Sequence, residues 1–255
     1  MAFLETDEAR LYYEDCGGNG TPLLFMHPAA GSSAAWQYQV EPFSAAGYRC
    51  LTFDARSFGR SEPKTDDMGH ASDDLLSLAD GLGLQRFVLI AAAYGGFGGL
   101  DFALRFPERL LAFVLATSQG GIADPDYVET RTRIAGPEVR AMPIQFRELG
   151  PSYRVEDPRG VERWLHILEE SGGETAKRQA TALDVRLAML EGLQVPTLVL
   201  AAGADLLAPP ALMRLIAERI PGCEVAVIGE AGHSAHWERP AEWNGIVLDF
   251  LNRRA

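Results

Sequence analysis

The chain has 255 residues, 47% hydrophobic and 23% charged, enough to bury a large core as one α/β domain or as a core with an insert. Its 35 acidic residues against 23 basic ones give a formal net charge of −12. That balance argues against the basic face needed for nucleic-acid phosphates or an anionic membrane surface, and no apolar run approaches the roughly 20 residues of a bilayer span.

In chain order, residues 11–14 read as a strand running into the turn-rich Gly17, Gly18, Asn19 and Gly20. Short apolar runs at 23–26, 50–53 and 87–92 read as strands buried on both faces. Between the last two, Leu75, Leu78, Ala79 and Leu82 share one helix face, with Ser72 as the expected N-cap. A helix is expected from about Gly95 to Phe106, stopped by Pro107, and a strand at 111–116. The pattern resumes with a strand at 197–201 and a helix opened by Pro209 and Pro210, with Leu212, Leu215, Ile216 and Ile220 on one face. A strand at 224–228 and a final helix from Pro240, bearing Trp243, Ile246, Val247, Phe250 and Leu251, complete the series. Strands alternating with helices imply an α/β fold with a mainly parallel central sheet flanked by helices. Residues 118–194 break the rhythm, with helix-like stretches around Trp164 and around Leu183, Leu187 and Leu190. They are expected to form a helical cap walling off a pocket, over a core made of residues 1–117 and 195–255.

The chemistry is concentrated at Ala91-Ala92-Ala93-Tyr94-Gly95, between a buried strand and a helix. A nucleophile elbow, G-x-S-x-G, occupies such a place and needs small residues two before and two after the nucleophile. Ala91 and Gly95 meet that need, and position 93 holds alanine. Four other segments stand in suitable order. They are His27-Pro28-Ala29-Ala30-Gly31, Asp54-Ala55-Arg56-Ser57-Phe58-Gly59-Arg60-Ser61, Asp205 just past a strand, and Gly232-His233-Ser234-Ala235-His236-Trp237-Glu238-Arg239-Pro240.

With these five motifs the chain resembles the α/β-hydrolase fold family over nearly its whole length, as an esterase- or lactonase-like serine hydrolase with a helical cap. The resemblance implies His233 as general base and then acid, Asp205 as its orienting carboxylate, Ala93 at the nucleophile position, and the backbone N–H groups of Ala29 and Tyr94 as an oxyanion hole. Pro28, with no N–H, stands where the family has glycine, so the donor falls to Ala29. The implied function is hydrolysis of a small carboxylic ester or lactone through an acyl-enzyme, with no cofactor and no metal. The pattern at 232–238 also resembles hydrolases that cleave carbon–carbon bonds of ring-cleavage products.

Alanine has no atom that can attack a carbonyl. Loss of a triad serine costs about 10⁶-fold in turnover, near 8 kcal/mol of barrier, so the chain as written is expected to be nearly inactive as a serine hydrolase. One loss in otherwise complete machinery reads as an engineered replacement. The competing readings are a natural pseudo-hydrolase that binds a small ligand, and an enzyme using the His233–Asp205 pair alone as base, such as a lyase, cyclase or cofactor-free oxygenase.

Trp36, Phe97, Phe146, Trp164, His236 and Trp237 are candidates to line the pocket, although core packing is the better reading of each aromatic singly. His27 is expected to brace its loop by hydrogen bonding, and Arg56 to anchor the loop after its strand through ionic and backbone bonds. His70 and His166 are expected on the surface. The cluster Gly95, Gly96, Gly98 and Gly99 lacks the G-x-G-x-x-G spacing of a dinucleotide site and is read as allowing close helix–sheet approach. Cys16, Cys50 and Cys223 fit neither a disulfide framework nor a zinc motif, and residues 1–10 lack the layout of a secretory signal. Free thiols in a cytoplasmic protein acting on a small molecule are the expectation.

Overall fold

The computed structural model describes residues 2–254. Nine strands form one sheet: β1 (Ala2–Glu5), β2 (Ala9–Asp15), β3 (Thr21–Met26), β4 (Tyr48–Phe53), β5 (Glu62–Pro63), β6 (Phe87–Ala92), β7 (Leu110–Ala116), β8 (Thr197–Ala202) and β9 (Glu224–Ile228). The order is β1-β2-β4-β3-β6-β7-β8-β9, with β5 also paired to β2. Pairs from β4 across to β9 are parallel, whereas β2 runs antiparallel to β1, β4 and β5.

Strand alternation divides the apolar residues between two cores. Leu24, Met26, Leu89, Ala91, Phe113, Leu115 and Val199 pack against α2 (Ala71–Gly81), α3 (Gly95–Arg105) and α9 (Pro210–Ala217). Leu23, Phe25, Val88, Ile90, Val114, Leu198 and Leu200 pack on the other face against α1 (Val40–Ala45) and α11 (Pro240–Arg254). Because both faces are covered, the central strands read as unbroken apolar runs rather than alternating ones.

β4 lies on one side of β3 and β6 on the other, so successive connections diverge at the β3–β6 boundary. Such a switch point opens a crevice at the carboxyl ends of the strands. The loop after β3 carries Ala29, and the bend after β6 carries Ala93.

Between β7 and β8 the chain leaves the sheet and forms α4 (Pro125–Ile134), α5 (Pro137–Arg140), α6 (Ile144–Glu148), α7 (Pro151–Glu156) and α8 (Pro158–Glu170). A separate apolar cluster of Ala30, Leu149, Tyr153, Trp164, Leu168 and Trp237 seats these helices on the loop after β3 and on α10 (Ala235–Glu238). Polar bonds reinforce the seat. One buried oxygen of Glu238, Oε2, accepts the N–H of Gly150 and of Gly232, each at 2.9 Å. Ser234 N–H donates to the Glu148 carbonyl at 3.1 Å, and Trp164 Nε1–H to Ser234 Oγ at 3.2 Å. The segment bearing His233 is thereby fixed to the inserted helices from both flanks.

Several local expectations are corrected. Ser72 is not the N-cap of α2: the helix begins at Ala71 with His70 at the cap, and Ser72 Oγ is buried, donating to Asp101 Oδ2 at 2.5 Å. Leu215 is 38% exposed, and Met213 fills the core place beside Leu212 and Ile216. The stretch around Leu183 is irregular, followed by a 3₁₀ turn at Leu187–Gly192. Carboxylates take its amides there: Asp101 accepts from Ala182 and Leu183, and Asp124 from Leu187, in place of helical carbonyls. β1 and β5 were not foreseen; β1 is a four-residue edge strand whose residues alternate between partly and fully exposed, and β5 is two residues long. No helix among the described residues is long and apolar enough to cross a membrane.

Arg56 makes a paired contact to Asp74 (Nε–Oδ2 2.8 Å, Nη2–Oδ1 2.5 Å) with both side chains almost fully buried, joining the loop after β4 to α2. Its anchoring is ionic, with Glu8 as a second carboxylate partner at 2.7 Å. Arg56→Met leaves a buried carboxylate unpaired and is expected to destabilise by about 3–5 kcal/mol, with Arg56→Met/Asp74→Leu recovering much of the loss; urea denaturation checks both. Burial pushes the Glu238 carboxyl up to about 7, against the pull of the two N–H groups it accepts. Between the ordinary 4.5 and about 7 the folded chain holds a proton that the unfolded chain has released, so this group's stabilising contribution falls as pH rises through that window. Glu238→Gln removes the titration, and the stability of the unaltered chain relative to Glu238→Gln is expected to decline from pH 5 to pH 7 in denaturant melts.

Candidate active site

The bend between β6 and α3 is tight enough to force its composition. Ala93 has φ 51°, in the left-handed region that a residue with a side chain adopts only under strain. Its N–H donates to Ala116 O at 3.0 Å, and its carbonyl accepts Ser118 Oγ–H at 2.6 Å. A Cβ on Gly95 would stand 2.5 Å from Met26 O, and one on Gly99 would stand 2.6 Å from Ala91 Cβ. The glycines therefore let α3 lie directly on the sheet. Among the described residues, no protein acceptor takes the N–H of Ala29 or of Tyr94.

Asp205 follows β8 and is buried. Oδ1 accepts the N–H of Leu207 at 2.7 Å and of Ala208 at 2.9 Å, which leaves Oδ2 aimed at His233 Nδ1, 2.8 Å away. Gly203 N–H to Ile228 O and Ala204 N–H to Ala231 O bind the two loops together beneath that contact. His233 is 7% exposed. Burial works against its charged form, yet the Asp205 and Glu148 carboxylates outweigh burial and push the imidazole up to about 9.

A cavity of about 280 Å³ opens at this point. Ala29, Ala30, Ala93, Tyr94, Phe97, Leu207 and His233 line it, with Gln119, Ala135, Arg140, Arg147, Glu148 and Arg178. Ala93 and His233 thus face one space, with Asp205 behind the imidazole.

Phe97 is the one aromatic pocket candidate that lines this cavity. Trp36 is fully buried under it, its ring 4.8 Å from Phe25 and from His236. His236 belongs to the same packed cluster, and burial together with the His233 charge lowers it to about 3. Trp164 and Trp237 are buried in the seat of the inserted helices, and Trp237 packs edge-on against Tyr38. Phe146 is 47% exposed and lies under the Arg154 guanidinium, outside the cavity. Trp36, His236 and Trp237 sit near the motifs in sequence, but helix and turn direction points them into cores. His27 donates from Nδ1 to Pro28 O (2.8 Å) while Nε2 accepts the Ala55 N–H (2.9 Å), so it braces two loops. His70 and His166 are exposed side chains.

Among the described residues lining the cavity, Tyr94 bears the one hydroxyl and none bears a thiol, while the nearby Ser118 hydroxyl is spent on the Ala93 carbonyl. Tyr94 hydroxyl is bound to the Gln179 backbone, and burial pushes it up to about 12. Burial likewise holds Cys50 at about 12 and Cys223 at about 11, far from thiolate character. Glu148, Arg140, Arg147 and Arg178 were not singled out from sequence, because no motif surrounds them and the insert gives no periodic clue to which side faces the site.

Comparison with known proteins agrees with this architecture. Residues 23–245 match the Alpha/beta hydrolase family. The provisionally assigned carbamate hydrolase RutD of Rhizobium rhizogenes is 32% identical over 254 residues, covering 91% of this chain and 93% of the relative. The 2-hydroxy-6-oxononadienedioate/2-hydroxy-6-oxononatrienedioate hydrolase of Paraburkholderia phymatum is 26% identical, covering 96% and 92%. Among solved structures, Est816, described as an N-acyl homoserine lactone degrading enzyme, superposes with a TM-score of 0.80 at 25% identity over 97% of this chain and 99% of that one. The family match over residues 23–245, most of the chain, together with a relative 32% identical and covered over 93% of its length, places the chain in the alpha/beta hydrolase family.

Proposed function

We propose that the chain is the scaffold of a small-molecule carboxylic-ester or lactone hydrolase in which Ala93 stands where the nucleophilic serine belongs, an engineered replacement that silences acyl-enzyme chemistry. The observation that carries the reading is the strained φ of 51° at Ala93, beside a cavity into which the Asp205-paired His233 also faces. An alanine gains nothing from that backbone, whereas a serine there would present its hydroxyl at the sharpest point of the bend.

With serine at 93, a neutral His233 would take the hydroxyl proton as oxygen attacks the carbonyl carbon. The N–H groups of Ala29 and Tyr94, which lack protein acceptors, would hold the developing oxyanion. His233 would then give the proton to the leaving oxygen, and a water activated in the same way would release the carboxylate. Asp205, fixed by two backbone N–H groups, would keep Nδ1 protonated and Nε2 toward the substrate. In this reading residues 118–194 are a cap closing the cavity, which suits a small substrate. Carbon–carbon hydrolysis of a ring-cleavage product is the second reading; Arg140, Arg147 and Arg178 on the cavity wall suit a substrate bearing carboxylates.

Ala93→Ser is expected to raise hydrolysis of 4-nitrophenyl acetate or a lactone by several orders of magnitude and to make the protein react with a fluorophosphonate, which leaves the unaltered chain unlabelled. Because His233 must be neutral to act as base and is held up to about 9, kcat/KM of Ala93→Ser is expected to rise with pH toward about 9. A folded Ala93→Ser protein with no gain on esters, lactones or vinylogous diketones, and no labelling, contradicts the reading.

A further inference from the structure

Acyl-enzyme chemistry at residue 93 has no task for Glu148. It ends α6, and its side chain is 13% exposed. Its own carbonyl holds the Ser234 N–H, and two residues on Gly150 is held by Glu238, so the backbone carrying this carboxylate is tied to the segment bearing His233. Oε2 lies 4.0 Å from His233 Nε2, on the side opposite Asp205, and both groups line the cavity beside the Ala93 methyl. A water at about 2.8 Å from each of two such atoms fits between them.

We propose that Glu148 and His233 act as a base–acid pair that adds water directly to a carbonyl carbon held beside Ala93, so that the alanine chain hydrolyses esters or lactones without a covalent intermediate. The inference rests on the cavity being a carbonyl-binding site. Water oxygen bonds to the carbonyl carbon while Glu148 takes one of its protons, and the carbonyl electron pair moves onto the oxygen facing the N–H groups of Ala29 and Tyr94. As the carbon–oxygen bond to the leaving group breaks, protonated His233 gives its Nε2 proton to the departing oxygen. Glu148 then returns its proton to His233, and the sum is ester plus water giving acid plus alcohol.

The charges around the pair support these assignments. His233 faces Asp205 from the loop after β8, Glu148 from α6, and Glu238 and His236 from α10. Glu148 faces His233, the guanidinium of Arg147 on its own helix with Nε 3.8 Å from Oε1, Arg178 from the segment after α8, and Asp205. Burial raises the Glu148 carboxyl, with His233 and Arg147 opposing, which makes its carboxylate a stronger base than a solvated one. His233 stays charged up to about 9. Serine attack needs the imidazole neutral, whereas direct attack by water needs it charged and able to donate.

The test compares δ-valerolactone and 4-nitrophenyl acetate hydrolysis by the full chain with and without Glu148→Gln, with circular dichroism and thermal melting as checks of folding. The expected result is a slow lactone hydrolysis above the uncatalysed rate that E148Q reduces about 10²-fold or more. That rate is expected to fall above pH 9 as His233 loses its proton, most clearly for the lactone, whose alkoxide leaving group needs one. E148D, which keeps the charge one methylene shorter, gives the same loss should E148Q fail to fold. In the Ala93→Ser background, E148Q is expected to leave fluorophosphonate labelling in place and to move the rising limb of the pH profile to lower pH. A folded E148Q chain that keeps the full rate, a parent chain no faster than the uncatalysed reaction, or loss of labelling in the double variant overturns the proposal. An unlabelled Ala93→Ser chain whose lactone hydrolysis still needs Glu148 overturns the acyl-enzyme reading and upholds this one.

Discussion

The hydrogen bond between Asp205 Oδ2 and His233 Nδ1, 2.8 Å long and closed off from solvent, is the contact on which the site depends. It exists because β8 and β9 are parallel neighbours whose carboxyl ends release their loops side by side, with Gly203–Ile228 and Ala204–Ala231 bonds fixing the spacing. Two backbone N–H groups spend the other Asp205 oxygen, so the carboxylate has one direction left to face. The imidazole is then oriented without any help from substrate.

The same loop is held from above. Glu238, Ser234 and Trp164 bond it to the inserted helices, so the histidine segment belongs equally to the sheet layer and to the layer that covers the cavity. This sharing explains why a carboxylate from α6 can sit 4.0 Å from the imidazole with its position fixed. It also makes the proton inventory of the cavity a property of both layers: Asp205 and Glu148 between them outweigh burial at His233, and neither alone faces both ring nitrogens.

Much of this was legible in the sequence, for definable reasons. Strands buried on both faces leave apolar runs that end where loops begin, and the functional loops of such a sheet all lie at one edge. Order and spacing of short motifs singled out Ala93, Asp205 and His233, and the fold brings these three together. Side-chain direction was less legible. Trp36, His236 and Trp237 flank the motifs, yet they pack into cores, because proximity along a turn says little about which way a ring points. Ser72 had the chemistry of an N-cap but sits one residue inside the helix, claimed by Asp101. Glu148 and the three arginines were invisible because the insert has no strand to fix its register and no motif to anchor it. Its facing surface is decided by tertiary seating on Trp164, Leu149 and Trp237.

The proposed role of the bend at residue 93 is to bring a substrate carbonyl to the His233–Asp205 pair. Its most direct test is acid-quenched peptide mapping by mass spectrometry of Ala93→Ser mixed with an ester. A transient acyl group is expected on the residue at 93 and none on the unaltered chain. Rapid turnover with no acyl group there, or an acyl group trapped on some other side chain, would contradict it.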